Sequence, residues 1–241
     1  MRERFSNFLM LGAMLLLAVF TASCLTAPTF PVTPEIGYHS ITFQKGETAL
    51  DGDTLALTVT FQDGDGDLGL RPNVDVGEPY NSIYFFIKGD GEFLKLSDRN
   101  NPAFDTLPPY EFPYYCTNYV LEEDATGAID TFYVQQNEFH NNIHVKFFTK
   151  KNGVYEEFDW VTEFDPICGE SFNGRYPLLA PVGREKPLEG KLKYKMSSAG
   201  FELLFRQDTL KLEVYLYDRA LHKSNVIETP DFVLKDITLG G

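Results

Sequence analysis

In two stretches of the chain, apolar residues occupy every second position. The residues between them are mostly small, hydroxyl-bearing or charged. A period of two is typical of a β-strand that buries one face and exposes the other, so both stretches are predicted strands. The apolar positions are Leu55, Leu57, Val59 and Phe61 in the first stretch, and Leu210, Leu212, Val214 and Leu216 in the second.

Shorter apolar runs bounded by Gly, Pro, Asp and Asn predict further strands. Because no amphipathic helix longer than two turns stands out, the sequence predicts an all-β protein. The segment 98–181 is rich in proline and aromatic residues, and we interpret it as a long irregular insertion in a single domain spanning 36–241. The other predicted strands are 36–43, 83–88, 93–96, 129–135, 143–149, 188–194, 201–205 and 226–234.

The N-terminal residues 1–23 have the pattern of a targeting signal. Arg2 and Arg4 precede an uncharged apolar run at 8–20. As a helix, this run would be about 20 Å long, which is too short to span a bilayer. We therefore predict a signal peptide.

The signal ends in Thr-Ala-Ser-Cys, with the cysteine at position 24. This ending resembles the lipobox of bacterial lipoproteins, although Thr21 occupies the usual leucine position. The resemblance implies that Cys24 carries the lipid anchor and that residues 24–35, with three prolines, form a tether. The alternative is ordinary secretory cleavage beside a chance cysteine.

The chain is strongly acidic. Its net charge of −14 becomes −15 once the signal with Arg2, Glu3 and Arg4 is removed. Such a charge repels nucleic acid and anionic headgroups, so neither is an expected partner. Membrane attachment is expected through acyl chains alone.

The densest ligand chemistry lies in Asp63-Gly-Asp65-Gly-Asp67, at the end of the first clear strand. Alternating carboxylates, with glycines that let the backbone curl, suit a hard cation such as Ca²⁺. The loop resembles the first half of EF-hand and dockerin-like calcium loops. It departs from the EF-hand at Leu68 and Val74, which stand where glycine and glutamate are expected. The alternative is a metal-free, solvated hairpin turn.

The second clear strand ends in Asp218-Arg-Ala, followed by Ser224 and Asn225. This pattern resembles the last hairpin of bacterial immunoglobulin-like and fibronectin type III-like domains, without their glycine. With the signal and the Asp-Gly loop, it is similar to an uncharacterised family of bacterial outer-membrane lipoproteins. The resemblance implies an immunoglobulin-like antiparallel β-sandwich anchored at the outer membrane, and it implies no reaction.

In such a sandwich, the two clear strands end at the same pole. The inward parity of the first strand continues to Asp63, and that of the second continues to Asp218. The four aspartates at 63, 65, 67 and 218 are therefore predicted to converge on one Ca²⁺, with Asn225 nearby. The alternative is that Asp218 only caps its own hairpin.

Catalysis is not expected. The Gly169-Glu-Ser171 turn lacks the closing glycine of a nucleophile elbow, and no doubly wound α/β pattern surrounds it. His140 and His144 have the spacing of a helical zinc pair, but the residues around His144 alternate as a strand. The sequence instead favours a lipid-anchored binding or scaffolding protein with an envelope partner.

Two features of the insertion remain open. Cys116 and Cys168 are expected to form a disulfide in an exported protein, or else to be two buried thiols. Exposed rings at Tyr110, Tyr114 and Tyr115 would suit a carbohydrate-binding accessory protein, because sugars stack on aromatic faces. Alternatively, the rings fill a small second core.

Overall fold

The computed structural model describes residues 28–48, 51–101, 104, 106–111, 115–123, 126–163, 171–183 and 186–239, without the side chains at 115 and 116. These residues form ten strands in three antiparallel sheets. The strands are β1 (Glu35–Gln44), β2 (Asp53–Asp63), β3 (Ile83–Phe85), β4 (Tyr119–Glu123), β5 (Ile129–Gln136), β6 (Ile143–Lys151), β7 (Val154–Phe158), β8 (Leu188–Ser198), β9 (Leu210–Leu216) and β10 (Ile227–Glu228).

Two of the sheets enclose the main core. The first has the strand order β1-β2-β8, and the second has the order β10-β9-β6-β7. The apolar positions of β2 and β9 are at most 7% exposed, and they belong to the same hydrophobic cluster as residues of β6 and β8. The prediction of an all-β protein is therefore confirmed, and the arrangement resembles a β-sandwich.

The third sheet, with the order β3-β5-β4, has a small core of its own made of Leu94, Tyr119 and Tyr133. Segment 98–181 is more regular than predicted, because it contains β4 to β7. Strand β6 even pairs with β9, at the centre of the second sheet.

Three predicted strands are wrong. Residues 93–96 contain only isolated bridges, from Phe93 to Ile87 and from Lys95 to Phe132. Residues 201–205 form a short helix, Phe201–Phe205, in which Phe201 and Phe205 lie one turn apart and are both buried. A run of five mostly apolar residues is compatible with a β-strand or with a single helical turn. Here the two buried phenylalanines are four residues apart, which is the helical spacing. Of 226–234, only Ile227–Glu228 is a strand, although Phe232 still bridges to Leu210.

The remaining helices are short. Four-residue helices occupy Tyr115–Asn118 and Trp160–Glu163, and 3-10 turns occupy Leu96–Asn100, Glu138–His140 and Leu234–Asp236. Within the described ranges, no helix has the length and apolarity needed to span a membrane.

Candidate metal centre

The Asp-Gly loop forms a cluster of buried carboxylates where β2 ends. Asp63 is the last residue of β2 and is fully buried, Asp67 is 8% exposed, and Asp65 is half-buried. One oxygen from each of the three carboxylates can be chosen so that all lie within 4.8 Å of one another. Oxygen atoms this close together could hold a hard cation.

The loop is not a solvated hairpin tip. The next strand, β3, begins only at Ile83, and residues 66–70 are all buried. Leu70 donates its amide to the Tyr176 carbonyl over 3.1 Å, and Leu179 donates to Leu68 over 3.2 Å. Gly66 has a positive φ of 73° and packs against the backbone of Lys186, where a side chain would clash. Hydrogen bonds to Tyr176 and Leu179, together with close packing against Lys186, therefore fix the position of the loop.

Asp218, which follows β9, faces the same cluster. It is 2% exposed, and its charge raises the pKa of both Asp63 and Asp67. Burial raises the pKa of Asp218 itself, and the charge of Asp65 adds to the effect. Asp218 is thus near enough for its charge to act on the cluster, although the group of ligand oxygens within 4.8 Å of one another comprises Asp63, Asp65 and Asp67.

Asp218 also caps its own hairpin, which was the alternative interpretation. One carboxylate oxygen accepts the His222 amide over 2.7 Å, and the other lies 2.9 Å from Nδ1 of that ring. These bonds lower the pKa of Asp218 against the larger effect of burial. Asp218 therefore caps its own hairpin and also lies near enough to the cluster for its charge to act on Asp63 and Asp67.

Asn225 differs from the prediction. Its Oδ1 accepts the Ile36 amide over 2.7 Å, and its Nδ2 donates to the Ile36 carbonyl over 2.9 Å. Both ends of its amide are thus used to hold the start of β1. We leave Asn225 out of the candidate ligand set.

Several carboxylate oxygens of the cluster have no hydrogen-bond partner among the described residues. They are both oxygens of Asp63 and Oδ1 of Asp65 and of Asp67. The other oxygen of Asp67 accepts the Ala220 amide over 3.0 Å. Buried charges without partners are costly, and a shared proton or a bound cation would relieve that cost.

The electrostatic strain is visible in the pKa values. Burial, followed by the charges of Asp65 and Asp67, raises the pKa of Asp63 from 3.8 to about 7. Burial and the charge of Asp218 raise the pKa of Asp67 to about 6. The carboxylates therefore repel one another near neutral pH.

Two residues that the sequence did not single out complete the site. The Nε of Arg219 donates to the backbone carbonyl of Asp67 over 3.0 Å, and its charge lowers the pKa of Asp67 without outweighing burial. Tyr176 is 3% exposed, and its hydroxyl has no geometric hydrogen-bond partner among the described residues. Burial and then the charge of Asp63 raise the pKa of that hydroxyl. No local spacing signals Tyr176, because it comes from a distant segment, whereas Arg219 directly follows Asp218 in the sequence.

The remaining predicted site residues lie away from this cluster or beyond the described residues. Tyr110 is 42% exposed, but its ring packs edge-on against Tyr119 at 4.7 Å, so it extends the small core. Cys116 lies in the helix Tyr115–Asn118. Outside the description are Cys24, Tyr114, Cys168 and the side chains of Tyr115 and Cys116, and with them the predicted disulfide.

The two histidines of the discarded zinc interpretation bind backbone. Nε2 of His144 lies 3.0 Å from the Glu138 carbonyl, and Nδ1 of His140 lies 3.0 Å from the Tyr80 carbonyl. Both imidazoles thus lie within hydrogen-bonding distance of a backbone carbonyl.

Comparison with known proteins adds no relative: no family model, no curated protein and no solved structure matches this chain. The functional interpretation therefore depends on the geometry of the carboxylate cluster.

Proposed function

We propose that the chain is a lipid-anchored envelope protein whose immunoglobulin-like β-domain binds Ca²⁺ structurally and serves as a binding or scaffolding module. The proposed ligands are the carboxylates of Asp63, Asp65, Asp67 and Asp218. The observation that carries the proposal is the fully buried Asp63 carboxylate, neither oxygen of which has a hydrogen-bond partner in the described chain. A second is the buried Tyr176 hydroxyl, which lies in the field of the same carboxylates.

The donor set favours calcium. All four proposed side-chain ligands are carboxylates, and hard oxygen donors suit Ca²⁺ better than they suit zinc. Both oxygens of Asp218 contact His222, one through the backbone amide and one through Nδ1 of the ring. Each carboxylate oxygen has a second lone pair, with which Asp218 would bind the ion. The ion would then connect β2 of the first sheet to the end of β9 in the second sheet.

The lipid anchor is supported by the sequence alone. The charged start, the short apolar run and Ala22-Ser-Cys24 are its basis. Attachment to the outer membrane and an envelope partner follow from that resemblance. No catalytic role is proposed, because the carboxylate cluster found among the described residues is explained by oxygen ligands for a cation.

Thermal unfolding in calcium and in chelator tests the metal site. We expect millimolar Ca²⁺ to raise the melting temperature by roughly 5 °C or more, because a ligand that binds only the folded state stabilises it. Asp65→Ala should abolish the rise. Asp208→Asn, an exposed carboxylate away from the cluster, is the matched control and should respond as the wild type does. An equal melting temperature in calcium and in chelator would refute the site.

A further inference from the structure

The segment that leads towards the proposed anchor packs directly on the metal loop. The amide of Gly64 donates to the Pro31 carbonyl over 2.8 Å. A Cβ on Gly64 would lie only 2.7 Å from that carbonyl oxygen, so glycine is needed for this approach. Gly64 stands between Asp63 and Asp65, two of the proposed calcium ligands. The docking point of the segment is therefore part of the metal loop itself.

Little else holds this segment in place. Residues 28, 29 and 31–33 are exposed, Phe30 is half-buried, and Pro34 is buried. Among the described residues, the bond from Gly64 is the one hydrogen bond that residues 28–34 receive. From Ile36 onward the chain is fixed by β1 and by the two bonds to Asn225. The attachment before Ile36 thus depends mainly on the loop.

The charge of the loop connects this attachment to the cation. Asp63 and Asp65 flank Gly64, and each carries buried oxygens without a hydrogen-bond partner among the described residues. Without a cation, their mutual repulsion favours an open loop, and opening moves the Gly64 amide away from Pro31. With a cation, the loop closes and presents that amide.

We infer that Ca²⁺ bound at this loop fastens residues 28–34 to the domain and so fixes the point at which the chain leaves it for the membrane. The inference rests on the proposed function, since it requires the calcium site. Release of seven residues would lengthen the connection by up to about 24 Å at full extension. Calcium would then set the distance and orientation of the domain relative to its anchor.

Limited proteolysis of the full lipid-anchored protein in liposomes tests this coupling. Elastase cleaves after small apolar residues such as Val32, which is 52% exposed. Fragments starting between 28 and 35 are quantified by mass in calcium and in chelator, and a short peptide substrate checks the protease in both buffers. We expect calcium to slow this cleavage about tenfold, because cleavage follows the open population.

Phe30→Ala separates the coupling from metal binding. Phe30 is half-buried in the segment and lies outside the metal loop, so the substitution loosens the segment and changes no residue of the loop. We expect this variant to keep the calcium-dependent rise in melting temperature and to be cleaved rapidly with or without calcium. Leu203→Ala is the control, because it truncates an apolar side chain that is 83% exposed, and it should behave as the wild type does.

The outcomes are distinguishable. If calcium raises the melting temperature of the wild type but leaves cleavage unchanged, the coupling is wrong and the metal site stands. If the melting temperature does not change, both are wrong. The wild-type comparison decides between these even where Phe30→Ala fails to fold.

Discussion

Replacing Asp63 by asparagine should change stability in opposite directions with and without calcium. The substitution keeps the size and shape of the side chain but removes one of four converging charges. In chelator at pH 8, we expect the variant to be more stable than the wild type. An ordinary structural carboxylate that accepts hydrogen bonds would give the opposite sign, because its loss leaves donors without partners.

The magnitude follows from the pKa of Asp63. Its carboxyl has a folded-state pKa of about 7 against an ordinary 3.8. Because the folded pKa is raised, ionisation of the group costs stability as pH rises from about 4 to 7, and the full cost is present above pH 7. Three pKa units at about 1.4 kcal/mol each give an upper limit of about 4 kcal/mol in favour of the variant. Below pH 4 the two proteins should be equally stable.

Calcium should reverse this order. At a concentration one thousand times its dissociation constant, a ligand stabilises the folded protein by about 4.1 kcal/mol, which exceeds the upper limit of about 4 kcal/mol for the cost of ionising Asp63. The wild type should gain this, whereas the variant, which lacks a ligand, should gain much less. The difference in free energy of unfolding should therefore change sign between the two buffers.

Urea unfolding followed by tryptophan fluorescence measures this difference. The chain has a single tryptophan, Trp160, which is 4% exposed in the main core and reports on its opening. Asp208→Asn serves again as the control for removal of a charge. The reasoning would be refuted if Asp63→Asn lowered stability in chelator and both proteins responded equally to calcium.

Three further predictions concern the anchor, the cysteines and the aromatic rings. Mass spectrometry of the mature protein should find acylated Cys24, and Cys24→Ala should release the protein from the membrane; continued membrane attachment would contradict the anchor. Non-reducing peptide mapping of protein from its native source should link Cys116 to Cys168, whereas free alkylation of both would exclude the bridge. Tyr110→Ala should lower the free energy of unfolding by about 1 kcal/mol through the lost edge contact with Tyr119. A glycan-array signal that disappears in this variant would instead favour carbohydrate binding.

Much of the fold could be predicted where one period dominates. The strands around Leu57 and Leu212 were predicted because alternation over seven residues leaves no other regular structure. Extending that alternation by two residues also placed Asp63 and Asp218 on the inward side. Local pattern was thus enough to identify two carboxylates that are both buried.

Other features could not be predicted because they depend on contacts between distant segments. Phe201–Phe205 is helical because both rings reach the core from one side of a single turn. Asn225 resembled a ligand by position, yet the start of β1 offers its amide two backbone partners. Tyr176 is held beside the metal loop because its backbone carbonyl accepts the amide of Leu70. No local motif encodes that bond, since the two residues are far apart in the sequence.

The position of the carboxylates explains why this pole needs something other than apolar packing. Inward-facing positions of β2 and β9 are filled by apolar side chains until each strand leaves the core, and the next inward position in each is an aspartate. Like charges oppose the approach of the two sheets at this pole. Arg219 is bonded to a backbone carbonyl of the loop and His222 lies 2.9 Å from the Asp218 carboxylate, and these two side chains only partly offset the charge. A proton on Asp63 neutralises one group but joins nothing, whereas a divalent cation binds carboxylates from both sheets at once. The same four residues would therefore repel as an empty cluster and connect the sheets as a calcium site, which makes the sign of the Asp63→Asn effect the most informative single measurement.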